Sequence, residues 1–172
     1  MQIRTAEKKD LPMIMDIIHQ AQNALKELGI SQWQNGYPNE NTIRSDIEQA
    51  ISYVLVENGQ ILATIAISFQ EEPSYQQIFN GSFRSNNPYG VIHRIAVSTS
   101  CKKQGLATQL ISFAKKLIQN HGLNWIRIDT HEGNIPMQQF LKKQGFQYCG
   151  IIYLSEEQNA DTKRLAYDYQ IL

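Results

Sequence analysis

The chain has 172 residues, 42% hydrophobic and 19% charged, and its 16 Lys and Arg balance its 16 Asp and Glu to a formal net charge of zero. That length fits one domain over residues 1–172 with a full core, and the composition excludes a disordered chain. No apolar run nears the roughly 20 residues that span a bilayer, and no cationic excess invites a nucleic acid partner. Cys101 and Cys149 are too few and too far apart for a disulfide scaffold or a zinc site. Residues 1–6 are too polar for a signal peptide, so the expected location is the cytoplasm.

Residues 2–5 read as a short strand. Asp10 is placed to cap a helix whose inward stripe is Leu11, Ile14, Ile18, Ala21, Leu25 and Leu28, closed by Gly29. Trp33, Gly36, Tyr37 and Pro38 make an aromatic loop. A second helix follows Asn39, with Ile43, Ile47 and Ile51 on one face. Residues 53–57 and 60–69 flank Asn58-Gly59, a pair suited to a tight hairpin turn. Residues 70–90 form a polar loop long enough to predict a functional role or a hidden extra turn.

The most informative stretch is VIHRIAVSTSCKKQGLATQLISFAKK, residues 91–116. It reads as an apolar strand, a basic turn ending in Gly105, and a helix with the stripe Leu106, Leu110, Ile111, Ala114, Leu117 and Ile118. The first N–H groups of a helix have no partner within it, and the helix dipole favours negative charge there. Gly105 allows close backbone approach, and Lys102 and Lys103 add positive charge. A diphosphate ligand suits such a turn. Residues 125–130 read as the next strand, Asn134 caps a fourth helix that Gly145 ends, and 147–154 and 164–171 read as a closing strand pair. The order is β-α-α-β-β-β-α-β-α-β-β, an α/β fold with a mixed sheet, a parallel centre and antiparallel flanks.

These residues and this order resemble the GNAT superfamily of acyl-CoA-dependent N-acyltransferases over almost the whole chain. The family's Arg/Gln-x-x-Gly-x-Gly/Ala motif stands here as Lys102-Lys103-Gln104-Gly105-Leu106-Ala107, after Ile95-Ala96-Val97. A second hallmark, an Asn opening a helix that ends in Gly-Phe, stands as Asn134 through Gly145-Phe146. The resemblance implies two central parallel strands that splay apart, with pantetheine of acetyl-CoA in the split against Ile95, Ala96 and Val97. It implies pyrophosphate on the backbone from Lys103 through Thr108, beside Lys102, Gln104, Gly105, Leu106 and Ala107. Asn134 would bond the pantetheine arm, and Met137 and Phe140 would pack near it. The family uses no metal. Many members carry a Tyr general acid four residues before the Gly of Gly-Phe. That position is Leu141 here, which calls for another acid, such as Tyr148 or Tyr153, or unassisted thiolate release.

His93 precedes Val97 by four residues on the strand that would flank pantetheine. In arylalkylamine members a matching His helps deprotonate the amine, and an ordinary His titrates near neutral pH. A buried structural His is the other reading. Asp129, His131 and Glu132 cluster at the end of a strand, at a spacing that matches no common metal site. Asp129 would pair with Arg94 or Arg127, and Glu132 could attract a cationic amine. Trp33, Tyr37, Tyr75 and Phe83 would border the acceptor cleft or serve as lids and core anchors.

The implied activity is acetyl transfer from acetyl-CoA to a primary amine, on a small molecule or a peptide, by direct attack in a ternary complex. An acyl-CoA sensor without turnover is the alternative, and a homodimer is left open. A nucleotide-triphosphate site is disfavoured because no Gly-x-x-x-x-Gly-Lys-Ser/Thr run is present.

Overall fold

The computed structural model of the chain describes residues 1–102, 104–155 and 161–172. Its strands are β1 (Gln2–Thr5), β2 (Ser52–Glu57), β3 (Gln60–Ser68), β4 (Gly90–Val97), β5 (Trp125–Thr130), β6 (Gln147–Tyr153) and β7 (Lys163–Gln170). Its helices are α1 (Leu11–Glu27), α2 (Glu40–Glu48), α3 (Leu106–Asn120) and α4 (Ile135–Lys143). The chain order is the one the periodicities predict.

The strands form one sheet in the order β1-β2-β3-β4-β5-β7-β6. The expected parallel centre narrows to the single pair β4–β5, because β7 returns by a hairpin from β6 and inserts antiparallel beside β5. Even that pair is short: only Gly90↔Ile126 and Val91↔Arg127 are in register. Beyond Val91 the two strands diverge. On its other side β4 pairs with β3 through a bulge, since Thr64↔Ala96 is followed by Ala66↔His93. The extra residue is absorbed at Arg94, whose φ is +49°.

Strand alternation sends successive β4 residues to opposite faces. Ile92 joins the core under α3 and α4, with Leu106, Leu110, Ile111, Ala114, Ile118 and Leu141. Val91 and Ala96 point the other way, Val91 into an aromatic cluster with Tyr75, Tyr89 and Trp125, and Ala96 under α1 and α2. The bulky stripe of α3 sits close against β4 at Gly90, where a Cβ would come within 2.6 Å of Ile118 Cδ1. Among the described residues, no helix is long and apolar enough to cross a membrane.

Several local expectations hold. Asn39 Oδ1 caps α2 by accepting from Thr42 N at 3.1 Å. Asn58 and Gly59 both have positive φ (+50° and +77°), as a primed hairpin turn requires. The 70–90 loop hides one 3-10 turn, Pro73–Tyr75. Arg84 anchors the loop to β7, with Nε donating to Asp168 Oδ1 at 2.5 Å. Two details of α1 differ. Ile17 rather than Leu28 completes the buried stripe, because Leu28 lies past the last helical turn and is exposed. Asp10 makes no side-chain cap to α1. Its carboxylate accepts instead from Arg4 Nη1 (2.6 Å), Arg4 Nη2 (3.0 Å) and Glu7 N (2.8 Å).

The Arg4 hydrogen bonds hold Asp10 below the ordinary carboxylate range. A depressed folded pKa adds stability above the unfolded value of about 4, and that stability is lost as pH falls through the folded pKa. Asp10→Asn is therefore expected to cost about 1–2 kcal/mol at pH 7. In thermal melts the gap from the parent protein should close toward pH 3; a gap that stays constant with pH would assign the loss to packing.

Candidate active site

The divergence of β4 from β5 opens a cavity of about 980 Å3 across the middle of the sheet. The wall on the β4 side carries Ile95 and Val97, and the α4 wall carries Asn134, Pro136, Met137 and Phe140. Past Val91, no strand among the described residues pairs with β4 on its β5 side, so that edge offers backbone groups to an extended ligand.

At one end of this cavity lie Lys102 and Ala107. The turn there is held by α1: Gln20 Oε1 accepts from Thr99 N (2.8 Å) and Thr99 Oγ1 (3.0 Å). Gly105 is the N-cap of α3 with φ +75°, and no side chain caps the helix. A Cβ on Gly105 would meet nothing within 4 Å, so the space over the helix N-terminus is open. The side chain of Leu106 is in the core, leaving only its backbone for a ligand. Thr108 Oγ1 already accepts from Gln144 Nε2 at 3.1 Å, Gln104 is exposed, and Ala96 packs beneath α1. Lys103 lies outside the described residues.

Asn134 caps α4, its Oδ1 accepting from Met137 N at 3.2 Å. Thr130 also lines the cavity, and its Oγ1 is buried and without a hydrogen-bond partner among the described residues. A buried hydroxyl left unpaired is costly, and a hydrogen-bonding ligand at this place would relieve it. The uncapped helix N-terminus, the free β4 edge and this orphaned hydroxyl together fit an extended ligand with a phosphate end and an amide arm.

The cavity widens under α1 and α2, where the sheet supplies a charged floor of His93, Arg94, Asp129 and Arg164. Arg94 turns toward α2 because of the bulge. Its Nε and Nη2 donate to Asp46 Oδ2 and Oδ1 at 2.7 and 2.8 Å, and its Nη1 donates to the Tyr37 hydroxyl at 2.7 Å. Asp129 Oδ2 accepts from the Tyr75 hydroxyl at 2.7 Å. Burial pushes the Asp129 carboxyl above its usual range and the Tyr75 phenol well above 10. His93 Nε2 stands 3.7 Å from Glu72 Oε2, and its side chain is 20% exposed. Burial, then the neighbouring Arg94 cation, lowers the His93 pKa to about 3. The sequence expectation of a His titrating near neutrality is thereby corrected: the ring is neutral across the physiological range.

Trp33 and Tyr37 line the cavity, Trp33 with a φ of +64°. Tyr75 is buried and meets the site through Asp129, and Phe83 stacks on the Arg127 guanidinium at 3.7 Å. The cluster at the end of β5 is divided. Asp129 pairs with neither Arg94 nor Arg127. His131 Nε2 is 2.6 Å from Asp161 Oδ2, and its Nδ1 accepts from Gly133 N at 2.9 Å. Glu132 is outside the cavity lining, bonded to Lys163 Nζ at 2.8 Å. No group of three His, Cys, Asp or Glu that could hold a metal ion occurs among the described residues.

Leu141 is fully buried in the core and is not part of the cavity lining, although Met137, one turn earlier on the same side of α4, is; a leucine there offers no proton to this cleft. Tyr148 and Tyr153 are exposed and off the cavity wall, which removes them as substitutes. Sequence reasoning missed Glu72, Asp46 and Arg164. Asp46 alone left a signal: it follows Ile43 by three residues on a helix, placing a carboxylate on the buried stripe.

Residues 18–146 match the family model described as "Acetyltransferase (GNAT) family". A crystal structure of a GNAT-family acetyltransferase from Streptococcus agalactiae 2603 is 36% identical, with a TM-score of 0.87 over 99% of this chain and 95% of that one. A crystal structure of an acetyltransferase described as putative, from Staphylococcus aureus MU50, is 25% identical, with a TM-score of 0.73 over 99% of both chains. Among curated proteins, the chain is 29% identical over 62 residues to GCN5-related N-acetyltransferase 6, chloroplastic, of Arabidopsis thaliana. That match takes in 36% of this chain and only 22% of the relative's length.

Proposed function

The chain belongs to the acetyltransferase (GNAT) family, and from that premise we propose that it moves an acetyl group from acetyl-CoA to a primary amine while both are bound together. The observation that carries this reading is the two-part cavity. A phosphate-suited helix terminus and a free strand edge run into a carboxylate-lined pocket at the point where β4 leaves β5.

Acetyl-CoA supplies an activated acetyl thioester. The backbone of the α3 first turn, with Lys102, holds the diphosphate, and Asn134 and Thr130 bond the pantetheine arm. The β4 edge at Ile95–Val97 aligns that arm, with Met137 and Phe140 as its apolar wall. Holding both reactants in line accounts for most of the acceleration, up to about 7–11 kcal/mol for well-oriented pairs. With a pKa near 3, His93 is too weak a base to hold the ammonium proton; its neutral ring instead accepts a hydrogen bond from the incoming amine and orients it, and the amine sheds its proton to water before it attacks. Because His93 has a pKa near 3, the acidic limb of the rate profile belongs to the amine's own ionisation.

His93→Gln is expected to lower kcat/KM about tenfold, the loss of one orienting hydrogen bond of about 1–1.5 kcal/mol, with unchanged acetyl-CoA affinity and an unshifted acidic limb. The measurement is acceptor-dependent thiol release from acetyl-CoA between about pH 5.5 and 8.5, bracketing an unperturbed His, run beside calorimetric binding. Parent-like rates in the variant would remove His93 from the positioning of the amine. Absence of acetyl-CoA binding to the parent protein would overturn the whole reading.

A further inference from the structure

The acceptor side of the cavity has a tie between two of its walls and a charge preference, and both bear on what it takes. The loop between α1 and α2 crosses to the far wall and is fastened there. Ser31 Oγ donates to Asp161 Oδ2 at 2.6 Å. Gln32 Oε1 accepts from His131 N and from Asn134 Nδ2, each at 3.4 Å. Ile30 sits directly on Gly133, where a Cβ would come within 2.4 Å of Ile30 Cγ2. Asp161 is itself held by His131. These contacts bridge the α1–α2 loop to the β5–α4 connection and to the start of β7, and through Gln32 and Asn134 they join two walls of the cavity. An extended peptide rises about 3.3 Å per residue and needs a groove open along its length. A tie between the walls works against such a groove and favours a short acceptor.

The charges on the floor are unequal. Asp46 takes Arg94 through two hydrogen bonds, so that cation is spent. Glu72 and Asp129 then face the cavity with Arg164 as the counter-charge from β7. Arg164 Nη1 is turned to the Asp161 and Lys163 carbonyls at 3.1 and 2.7 Å. The carboxylates outnumber the available cation, which suits an ammonium group and disfavours an added carboxylate. The walls around this floor include Leu28, Trp33 and Leu154, apolar surface that a strongly polar or polycationic chain would leave poorly used.

The geometry points to a small monocationic amine with an apolar body as the acceptor, its ammonium set between Glu72 and Asp129 and its body against Trp33. This rests on the acetyl-transfer reading above and narrows it to one substrate class.

The test compares three acceptors with the purified full chain and acetyl-CoA: phenethylamine, spermidine, and a hexapeptide with a free N-terminal alanine. Thiol release should show kcat/KM for phenethylamine at least about tenfold above both others. Glu72→Gln, which keeps an oxygen for Ser74 N, should raise the phenethylamine KM about tenfold or more with acetyl-CoA affinity unchanged. Ser31→Ala, which removes the tie to Asp161, should narrow the gap between phenethylamine and the peptide. Preferred turnover of the peptide or of spermidine overturns the proposal and leaves acetyl transfer standing. An unchanged KM in Glu72→Gln overturns the ammonium site. No thiol release with any amine overturns both this proposal and the function beneath it.

Discussion

Asp46→Asn is expected to lower the melting temperature by about 10 °C and to abolish most acetyl transfer. The side chains of Arg94 and Asp46 are only 12% and 7% exposed, and they meet through two hydrogen bonds. Removing one partner of such a pair leaves a buried charge uncompensated, at about 3–5 kcal/mol. For a chain of this size each kcal/mol shifts the midpoint by about 2–4 °C. The functional loss has a separate cause. Arg94 is the bulge residue of β4, with φ +49°, and its guanidinium ties the bulge to α2 and to Tyr37. That bulge lies next to His93, on the stretch of β4 that has already parted from β5. A double variant, Arg94→Met with Asp46→Leu, should recover much of the stability, since apolar replacement of a buried pair is often neutral or better. It should not recover turnover. Melting curves and thiol-release rates on the same preparations separate the two effects. If Asp46→Asn melts within about 2 °C of the parent, the pair contributes less than about 1 kcal/mol and the argument fails.

Gly105→Val is expected to leave the protein folded and to weaken acetyl-CoA binding by about 100-fold or more. The backbone at Gly105 is left-handed, which costs an L-residue with a Cβ about 1–2 kcal/mol. Apart from its two neighbours in the chain, no described residue comes within 4 Å of where that Cβ would stand, so packing is not the obstacle. The branched side chain would instead occupy the space above the uncapped helix N-terminus, where a phosphate has to approach. Losing two charge-assisted hydrogen bonds at about 1.5–3 kcal/mol each accounts for the expected change. Gly105→Ala, with the same backbone strain and less bulk, should lose less. Calorimetric titration with acetyl-CoA checks both variants, and a melting curve verifies the fold. A folded Gly105→Val protein with the parent affinity would place the phosphates elsewhere.

What the sequence by itself determined is the set of features that depend on short-range geometry. The stripe from Leu106 to Ile118, the cap at Asn39, the Asn58-Gly59 turn and the glycine that opens α3 each follow from helix or turn periodicity within a few residues. Those features were enough to order the elements and to place a phosphate turn after a strand, because both halves of that motif are adjacent in the chain. The two motifs around Gly105 and Asn134 carried the family resemblance for the same reason.

Only the tertiary structure decided the acceptor pocket and its chemistry. Glu72 meets His93 across a loop, Asp46 meets Arg94 from a helix 48 residues away, and Tyr75 meets Asp129 across 54. No local pattern reports such pairs, because their partners are chosen by how α1, α2 and the 70–90 loop settle on one face of the sheet. The protonation of His93 belongs to the same class: it is set by burial and by the Arg94 charge, and neither is a property of the residue or of its neighbours in sequence alone. The fate of Leu141 is similar. A helix of nine residues has one face on the cavity and one on the core, and which face holds Leu141 is fixed by the docking of α4 beneath the sheet. Local periodicity could say that the chain builds this helix; only packing could say that Phe140 lines the cleft while Leu141, the next residue, is sealed in the core.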